Sequence, residues 1–179
     1  RRTLGGIELD PASSIKANEI VKADRFFTKE DDAFTKEWRA KTIFLNPPSP
    51  PKRWWMRLLE EVRENDISAI FIAYSIEALQ QIQLWSPGGL EIFCVPKRRV
   101  PYLCTVRSAV QKLSKKIDSA EEIKTPDLNK LKRLKEMDQD ELIAGDQPAH
   151  ASAIIGLNID EEAFEYQYSP VGSVYKVLR

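Results

Sequence analysis

The sequence predicts an α/β protein built on a doubly wound, mostly parallel sheet. Three short apolar runs, at 42–45, 69–74 and 90–95, are typical of buried strands of such a sheet. Amphipathic stretches separate these runs, so strands and helices alternate along the chain. The chain of 179 residues is long enough for a sizeable core, and residues 1–179 are predicted to form a single domain.

The composition excludes several classes of protein and predicts no partner. The chain has 42% apolar and 30% charged residues, with 27 basic and 27 acidic side chains, so a nucleic-acid surface must come from local clustering. No apolar run approaches the roughly 18 residues of a membrane-spanning helix, and no signal peptide is visible. Cys94 and Cys104 lack metal-ligand spacing, which predicts reduced thiols in a cytoplasmic protein without a metal.

Each predicted element follows from a local pattern. A helix is predicted at 13–23 because apolar residues recur at helical spacing, and Ser13 or Ser14 is available as its N-cap. Pro47 and Pro48 end the strand at 42–45, because proline cannot donate to a sheet ladder. The other predicted elements before residue 100 are strands at 7–10 and 25–28, a helical turn at 34–38, and helices at 54–62 and 75–84.

The second half of the chain changes character. Residues 107–145 are rich in charge and are predicted to form a helical insertion, with Thr125 as a cap and Pro126 at the first helical position. Its basic side chains are candidates for target recognition, and a solvated insertion with balanced charge is the alternative. A late strand is predicted at 153–157, and the tail at 161–179 adds an edge strand or packs on the outside.

Asn46 is predicted to lie at the carboxyl end of a strand, where open α/β sheets bind their ligands. The Asn46 side-chain oxygen and the Pro47 carbonyl can both accept hydrogen bonds from an NH2 group. An aromatic amine held in this way is positioned to attack an electrophilic methyl group. The catalytic candidates are therefore Asn46, Pro47, Pro48 and Ser49, and the alternative is that they form only a turn.

Acidic residues follow the two preceding predicted strands. A carboxylate at such a position can accept both hydroxyls of a ribose, and a second carboxylate can accept the amino group of an adenine. Asp10 or Glu8 is the candidate for the first role, and Asp32 or Asp31 for the second. The alternative is that these carboxylates only cap helices or face solvent in turns.

Two groups of basic and aromatic residues are candidates for nucleic-acid contacts. Lys97, Arg98 and Arg99 leave the end of a predicted strand and Tyr102 follows them; cations bind phosphate, and an aromatic ring stacks on a base. Solvated loop charges are an equally good interpretation of this pattern. The other group comes shortly after the Asn-Pro-Pro sequence and consists of Lys52, Arg53 and Trp54.

These blocks, in their order along the chain, resemble the phage-type DNA adenine-N6 methyltransferase family. Its members show an LDPAS-like block, an Asn-x-x-Val-x-Ala helix, a Phe/Tyr-Thr strand, an acidic turn, a Trp and then Asn-Pro-Pro. The likeness is dense over residues 5–62 and looser to residue 158. The matching residues are Leu9, Asp10, Pro11, Ala12, Ser13, Asn18, Val21, Ala23, Phe27, Thr28, Asp32, Trp38, Asn46, Pro47 and Pro48.

The resemblance implies a function, a cofactor and a partner. The function is transfer of a methyl group from S-adenosylmethionine to the exocyclic amine of adenine in double-stranded DNA, with the base flipped out of the duplex. Asn46 and Pro47 would hold the amine, while Asp10, Pro11 and Asp32 would hold the cofactor. The protein would act in the cytoplasm of a phage-infected or prophage-bearing bacterial cell, with no membrane and no metal involved.

Two features depart from the family pattern. Ser49 stands where members often carry an aromatic residue that stacks on the base, and stacking contributes about 1–3 kcal/mol per base. Trp54, Trp55 and Tyr102 are the candidates to replace that ring. A Thr-Pro segment with which relatives help to hold the cofactor, and a Gly-rich first loop, do not occur in the sequence, so a further cofactor-binding segment is expected upstream.

Two other functions therefore stay open at this point. One is a nucleic-acid-binding module with the same fold that methylates weakly or not at all. The other is methylation of a different amine, on cytosine, RNA or a protein glutamine, since Asn-Pro-Pro also serves those targets.

Overall fold

The computed structural model describes residues 1–100, 103–120, 124–145 and 151–176. The chain divides into two compact units: the first contains Arg1–Arg99 and His150–Arg179, and the second contains Val100–Ala149. Helices and strands alternate along the first unit, so the prediction of an α/β protein is confirmed.

The elements are numbered in chain order. The strands are β1 (Leu9–Asp10), β2 (Arg25–Phe26), β3 (Thr42–Leu45), β4 (Ser68–Ala73), β5 (Ile92–Pro96), β6 (Leu103–Thr105), β7 (Leu142–Ala144), β8 (Ala153–Leu157) and β9 (Gly172–Lys176). The helices are α1 (Ile15–Val21), α2 (Lys52–Asn65), α3 (Ile76–Trp85), α4 (Val106–Asp118), α5 (Thr125–Glu136) and α6 (Glu161–Tyr168), with short 3-10 turns at Lys29–Asp31 and Ala33–Thr35.

The first unit is organised around one mixed sheet of seven strands, in the order β2-β1-β3-β4-β8-β5-β9. β1 to β4 pair in parallel, and β8 lies antiparallel between β4 and β5. Therefore β1 to β5 point in one direction, while β8 and β9 point in the other. We call the side of the sheet at which β1 to β5 end the carboxyl edge, and the opposite side the amino edge.

Helices begin where the sequence provides a capping side chain. Ser14 Oγ accepts a hydrogen bond from Ala17 N at 3.1 Å ahead of α1, so Ser14 rather than Ser13 is the cap. Ser75 caps α3 in the same way. α1 ends at Lys22, which adopts the left-handed conformation that closes many helices.

The sheet separates two apolar clusters. α2 and α3 cover one face, where Trp55, Leu58 and Ile82 are fully buried in the same cluster as Leu45 of β3. The other face packs against α6 through Phe164. Each buried side chain of this size contributes roughly 1.5–3 kcal/mol, so these clusters hold the sheet and its edges in place.

The second unit contains the charged segment predicted at 107–145. α4 and α5 pack around Val106, Leu113 and Leu134, and β6 pairs with β7 in a small antiparallel ladder that the sequence did not reveal. The predicted cap of α5 is wrong: Thr125 is the first helical residue, and the cap is Lys124, whose backbone is extended. Pro126 consequently lies one residue inside the helix, still in the first turn, where its missing N–H is not needed.

Other boundaries also differ from the predicted ones. β1 and β2 form only two ladder pairs with each other, so the strands predicted at 7–10 and 25–28 are shorter than expected. The helical turn expected at 34–38 is the 3-10 turn Ala33–Thr35. The tail forms α6 and then β9, which is the edge strand beside β5. Over the described ranges, no helix combines the length and apolar character needed to span a bilayer.

Candidate active site

The carboxyl edge brings together residues from distant parts of the chain. Asp10 ends β1, Asn46 follows β3, and Lys97 follows β5. Leu9 lies beside Ile43 in the ladder, so Asp10 of β1 is level with Phe44 of β3. Asn46 is two residues further along the chain, which is roughly 7 Å in the strand direction. Leu9 and Ile43 both face α2 and α3, so alternation puts the Asp10 side chain on the other face of β1, while Asn46 lies in the loop one residue beyond β3.

The strand order reverses at this place. The chain passes from β1 outward to β2 and then returns to the other side of β1 at β3. In open α/β sheets, the crevice beyond the carboxyl ends of two strands that separate in this way is the usual ligand-binding position. Asp10 and Asn46 flank this crevice.

Asp10 has the most perturbed carboxylate of the edge. It is only 2% exposed, and burial raises its pKa from 3.8 to about 6. Ala12 N donates a hydrogen bond to Asp10 Oδ1 at 3.1 Å, which offsets part of that rise in pKa. The nearby Ser13 hydroxyl offsets a further part, yet its buried Oγ makes no hydrogen bond of good geometry with the described residues. A buried carboxylate beside an unpaired hydroxyl is suited to a polar ligand.

Glu8 occupies a different environment from Asp10. It precedes β1 at the amino edge, and its Oε2 accepts a hydrogen bond from Lys41 N at 2.7 Å. This bond ties the start of β1 to the start of β3. The geometry therefore favours Asp10 over Glu8 for a ligand contact at the carboxyl edge, with the buried Pro11 beside it.

Asp31 and Asp32 follow β2 and differ in the same way. Asp31 Oδ2 accepts hydrogen bonds from Thr28 N at 2.8 Å and Thr28 Oγ1 at 2.9 Å, and these bonds lower the pKa of Asp31. Asp32 is exposed in a left-handed conformation, and its carboxylate accepts one long bond, from Phe34 N at 3.3 Å. Asp31 thus stabilises the turn, while Asp32 keeps acceptor capacity for a ligand.

The Asn46-Pro47-Pro48-Ser49 loop leaves two acceptors available. The Asn46 side chain is half-buried and makes no hydrogen bond to any residue that the structure describes. The Pro47 carbonyl likewise accepts no backbone hydrogen bond within the described chain. Pro47 itself is buried, whereas Pro48 and Ser49 are exposed. Both oxygens of the proposed amine-binding pair are therefore without a competing donor in the part of the chain that is described.

Tyr74 belongs to this edge, although the sequence patterns did not single it out. It directly follows β4, just as Asn46 directly follows β3, and β4 is the neighbour of β3. Its ring is half-buried, and Ser49 Oγ donates a hydrogen bond to its hydroxyl at 3.4 Å. The useful sequence signal is its position at the end of the apolar run 69–74.

The aromatic residues after the Asn-Pro-Pro sequence are engaged within the fold. Trp54 packs between Phe34, at 4.4 Å between ring centroids, and Trp38, at 6.3 Å. Trp55 is fully buried with its edge against Phe71, and its Nε1 has no hydrogen-bond partner among the described residues. The rings of both tryptophans are thus already in contact with other rings.

The two basic groups differ in their surroundings. The Arg53 guanidinium lies 3.8 Å from the centroid of the Phe34 ring, and Lys52 Nζ lies 5.4 Å from that of Trp85. By contrast, the exposed residues 97–99 extend from the end of β5 at the carboxyl edge. Three strand spacings separate β3 from β5, which places this cluster about 14 Å from the Asn46 strand. Tyr102 and His150 lie outside the described residues.

Two clefts of the first unit lie away from this crevice. One of about 560 Å³ opens at the amino edge between Glu8, Lys41 and Asn65, and another of about 380 Å³ lies between α2 and the loop at 86–91. Their walls include polar groups that already pair with one another, such as Glu61 with Arg57. We therefore place the candidate site by its chemistry and topology rather than by cavity size. No group of three or more potential metal ligands occurs among the described residues.

No family model matches the chain, and no curated protein or solved structure matches it significantly. The function is therefore inferred from the sequence and from the geometry of the carboxyl edge.

Proposed function

We propose that this protein transfers a methyl group from S-adenosylmethionine to the exocyclic amine of adenine in DNA. The observation that carries this proposal is the Asn46 side chain, half-buried at the carboxyl edge and without a hydrogen bond to the described chain. It lies across the switch point of the sheet from the buried carboxylate of Asp10. One polar group for the acceptor and one for the cofactor thus flank the same crevice.

The amine is oriented by two oxygens of the loop. An exocyclic amine of adenine has two N–H bonds and a lone pair that is delocalised into the ring. Asn46 Oδ1 accepts from one N–H and the Pro47 carbonyl accepts from the other, which turns the lone pair toward the methyl donor. These acceptors stabilise the positive charge that develops on nitrogen during attack, and the product then loses a proton to water.

The residues at the end of β1 fit the cofactor. S-adenosylmethionine supplies a methyl carbon on a positively charged sulfur, and the sulfur keeps the electron pair of the broken bond after transfer. Asp10 accepts from the ribose hydroxyls, and the buried Ser13 hydroxyl beside it, which makes no hydrogen bond of good geometry with the described residues, supplies a second polar contact. Asp32, whose carboxylate is exposed after β2, accepts from the adenine amino group of the cofactor.

The fold is consistent with this assignment. We infer a Rossmann-like methyltransferase arrangement, with the cofactor over the ends of β1 and β2 and the flipped base over the ends of β3 and β4. Lys97, Arg98 and Arg99 extend from the same edge and would contact DNA phosphates beyond the base. The family resemblance further implies that the protein would act in the cytoplasm of a phage-infected or prophage-bearing bacterial cell.

Transfer of a radiolabelled methyl group to unmethylated DNA tests the proposal directly. Digestion to nucleosides should yield N6-methyl-2′-deoxyadenosine as the labelled product. Labelled N4-methylcytosine would keep the methyltransferase and change the base. Calorimetry with S-adenosylmethionine completes the test: Asp10→Ala should weaken binding by about 1.5–3 kcal/mol, the range for a hydrogen bond to a charged group.

A nucleic-acid-binding module without transfer activity is the second candidate. Ser49 favours it, because the loop that holds Asn46 carries no aromatic ring of its own for an extruded base. The same assay separates the two functions. Wild-type protein that binds DNA and S-adenosylmethionine but transfers no label would support the module and overturn the enzyme.

A further inference from the structure

Tyr74 offers an aromatic surface at the place where the loop after β3 lacks one. Leu45 of β3 lies beside Phe71 of β4, so Asn46 is level with the residue two positions before Tyr74. One strand spacing and two residues along the strand separate the two Cα atoms, about 8 Å in total. A tyrosine side chain is long enough to cross most of this distance.

The Tyr74 ring is fixed by contacts on two sides. Its buried part packs against the apolar cluster beneath α2 and α3. Its hydroxyl accepts a hydrogen bond from Ser49 Oγ at 3.4 Å, which links the ring to the loop that carries Asn46. Tyr74 as a whole is half-buried, so part of its surface remains accessible. A ring held in this manner loses little side-chain freedom when a flat ligand stacks on it.

Other rings near the loop are less suitable. Trp54 contacts Phe34 and Trp38, and Trp55 is fully buried against Phe71. Trp55 is therefore closed to an extruded base, and the half-buried Trp54 already contacts two other rings.

We propose that Tyr74 stacks on the target base while Asn46 and Pro47 hold its amine. The inference rests on the proposed methyl transfer and deepens it, because it names the residue that captures the base. Ser49 then has a positive role: its small side chain leaves room for the base, and its hydroxyl orients the Tyr74 ring.

Steady-state methyl transfer to unmethylated DNA tests this role. Tyr74→Leu should raise the KM for DNA roughly tenfold or more, the effect of losing one base–aromatic stack. Tyr74→Phe should stay close to wild type, because it keeps the ring and loses only the long bond to Ser49. Ser49→Tyr in the Tyr74→Leu background should recover part of the loss.

Matched controls separate stacking from a structural defect. Tyr166→Leu makes the same change at an 86% exposed position on α6 and should leave the KM for DNA unchanged. The thermal midpoint of Tyr74→Leu and its affinity for S-adenosylmethionine report folding and the cofactor site, and both should match wild type. If the wild type is active and Tyr74→Leu leaves the KM for DNA unchanged, the stacking role of Tyr74 is overturned and the proposed function stands. The same follows if Tyr74→Phe is as impaired as Tyr74→Leu. A wild type without transfer would overturn the proposed function and this role with it.

Discussion

The two edges of the central sheet treat their polar side chains in opposite ways. At the amino edge these groups pair with one another: Glu61 accepts from Arg57 Nε at 2.8 Å and from Asn65 Nδ2 at 2.9 Å. Asn158 Nδ2 donates to Asp66 Oδ1 at 2.9 Å, which ties the end of β8 to the start of β4. These polar groups stabilise the fold and leave little capacity for a ligand.

The carboxyl edge is less well satisfied. Asp10 is buried with a raised pKa, the Ser13 hydroxyl is buried without a good partner, and Asn46 makes no hydrogen bond within the described chain. Leaving a buried polar group unpaired costs about 1–3 kcal/mol, so such groups are retained where a ligand completes them. The contrast teaches that incomplete hydrogen bonding makes the carboxyl edge the better candidate for a functional site, although a cleft of about 560 Å³ opens at the amino edge.

Removing the Asn46 amide should have the largest effect. Asn46→Ala should lower the rate of methyl transfer by about 10²–10³, the scale for removing one preorganised polar group from a transition state. Affinity for S-adenosylmethionine should stay nearly constant, because the proposed arrangement gives Asn46 a contact with the base and none with the cofactor. Asn46→Asp should retain more activity than Asn46→Ala, since a carboxylate still accepts hydrogen bonds from the amine. Single-turnover transfer and calorimetry measure the two quantities.

Asn65 provides the matched control at the amino edge. It donates to Glu61 and is exposed, so Asn65→Ala should leave the transfer rate unchanged and lower stability only slightly. Equal reductions of the rate in the two variants would mean that Asn46 acts through the fold and not on the amine.

Asp10→Asn should stabilise the protein at neutral pH while impairing cofactor binding. The pKa of Asp10 is raised from 3.8 to about 6, so the folded state favours the protonated form. The stabilisation of the folded state that comes from protonated Asp10 is complete below pH 3.8 and is lost as the pH rises through about 6. Asparagine keeps the acceptor for Ala12 N without the charge, so the variant should gain up to about 3 kcal/mol at pH 7 and nothing near pH 4. Denaturant unfolding across this pH range measures the difference, and a gain independent of pH would contradict the assignment.

Glu61→Ala should have the opposite effect on stability. It removes the acceptor for Arg57 and Asn65 at the amino edge, where the Glu61 side chain is 10% and the Arg57 side chain 27% exposed. We expect the free energy of unfolding to fall by about 1–2 kcal/mol, less than for a fully buried charged hydrogen bond because solvent screens the pair. Cofactor affinity should not change. Urea unfolding measures the change in stability, and calorimetry measures the affinity for S-adenosylmethionine. If Glu61→Ala and Asp10→Asn changed the free energy of unfolding in the same direction, the distinction between the two edges would be removed.

Much of this arrangement followed from local sequence patterns. The apolar runs and proline breaks predicted β3, β4, the helix α2 between them and α3 after them, because strand length and helical spacing are local properties. They also placed Asp10 and Asn46 at strand ends. The pairing of Asp31 with Thr28 is a capping box, for which Thr-x-x-Asp at 28–31 is a sequence signature that the predictions for the strand ends did not use. The contact of Glu8 with Lys41 joins distant segments and has no local signature.

The features that the sequence did not predict depend on interactions between distant segments. β6 and β7 are only three residues each and are separated by α4 and α5, so their pairing has no local signature. The engagement of Trp54 by Phe34 likewise requires a turn at residues 33–35 to fold back onto α2. Tyr74 has no distinctive signal, because a tyrosine at the end of an apolar run is equally typical of a core strand.

The smallest predicted effect concerns charge at the two edges. Replacing Lys97, Arg98 and Arg99 together by Ala should weaken DNA binding and flatten the dependence of log K on log salt, by roughly 0.9 for each phosphate that is no longer neutralised. The reason is that each neutralised phosphate releases a condensed counterion. A fluorescence titration of duplex DNA at several salt concentrations measures the slope.

The control removes an equal number of positive charges, three, from the amino edge. Arg39, Lys41 and Arg63 are exposed and lie toward the amino edge, and Arg39 pairs with Glu37 at 2.8 Å. Their triple Ala variant changes the net charge equally, so it reproduces any long-range electrostatic effect. If residues 97–99 bind phosphates directly, only their variant changes the salt slope, because counterion release requires a cation at the phosphate. Equal slopes in both variants would show that the cluster after β5 acts through net charge alone, and DNA would then have to be bound elsewhere on the protein.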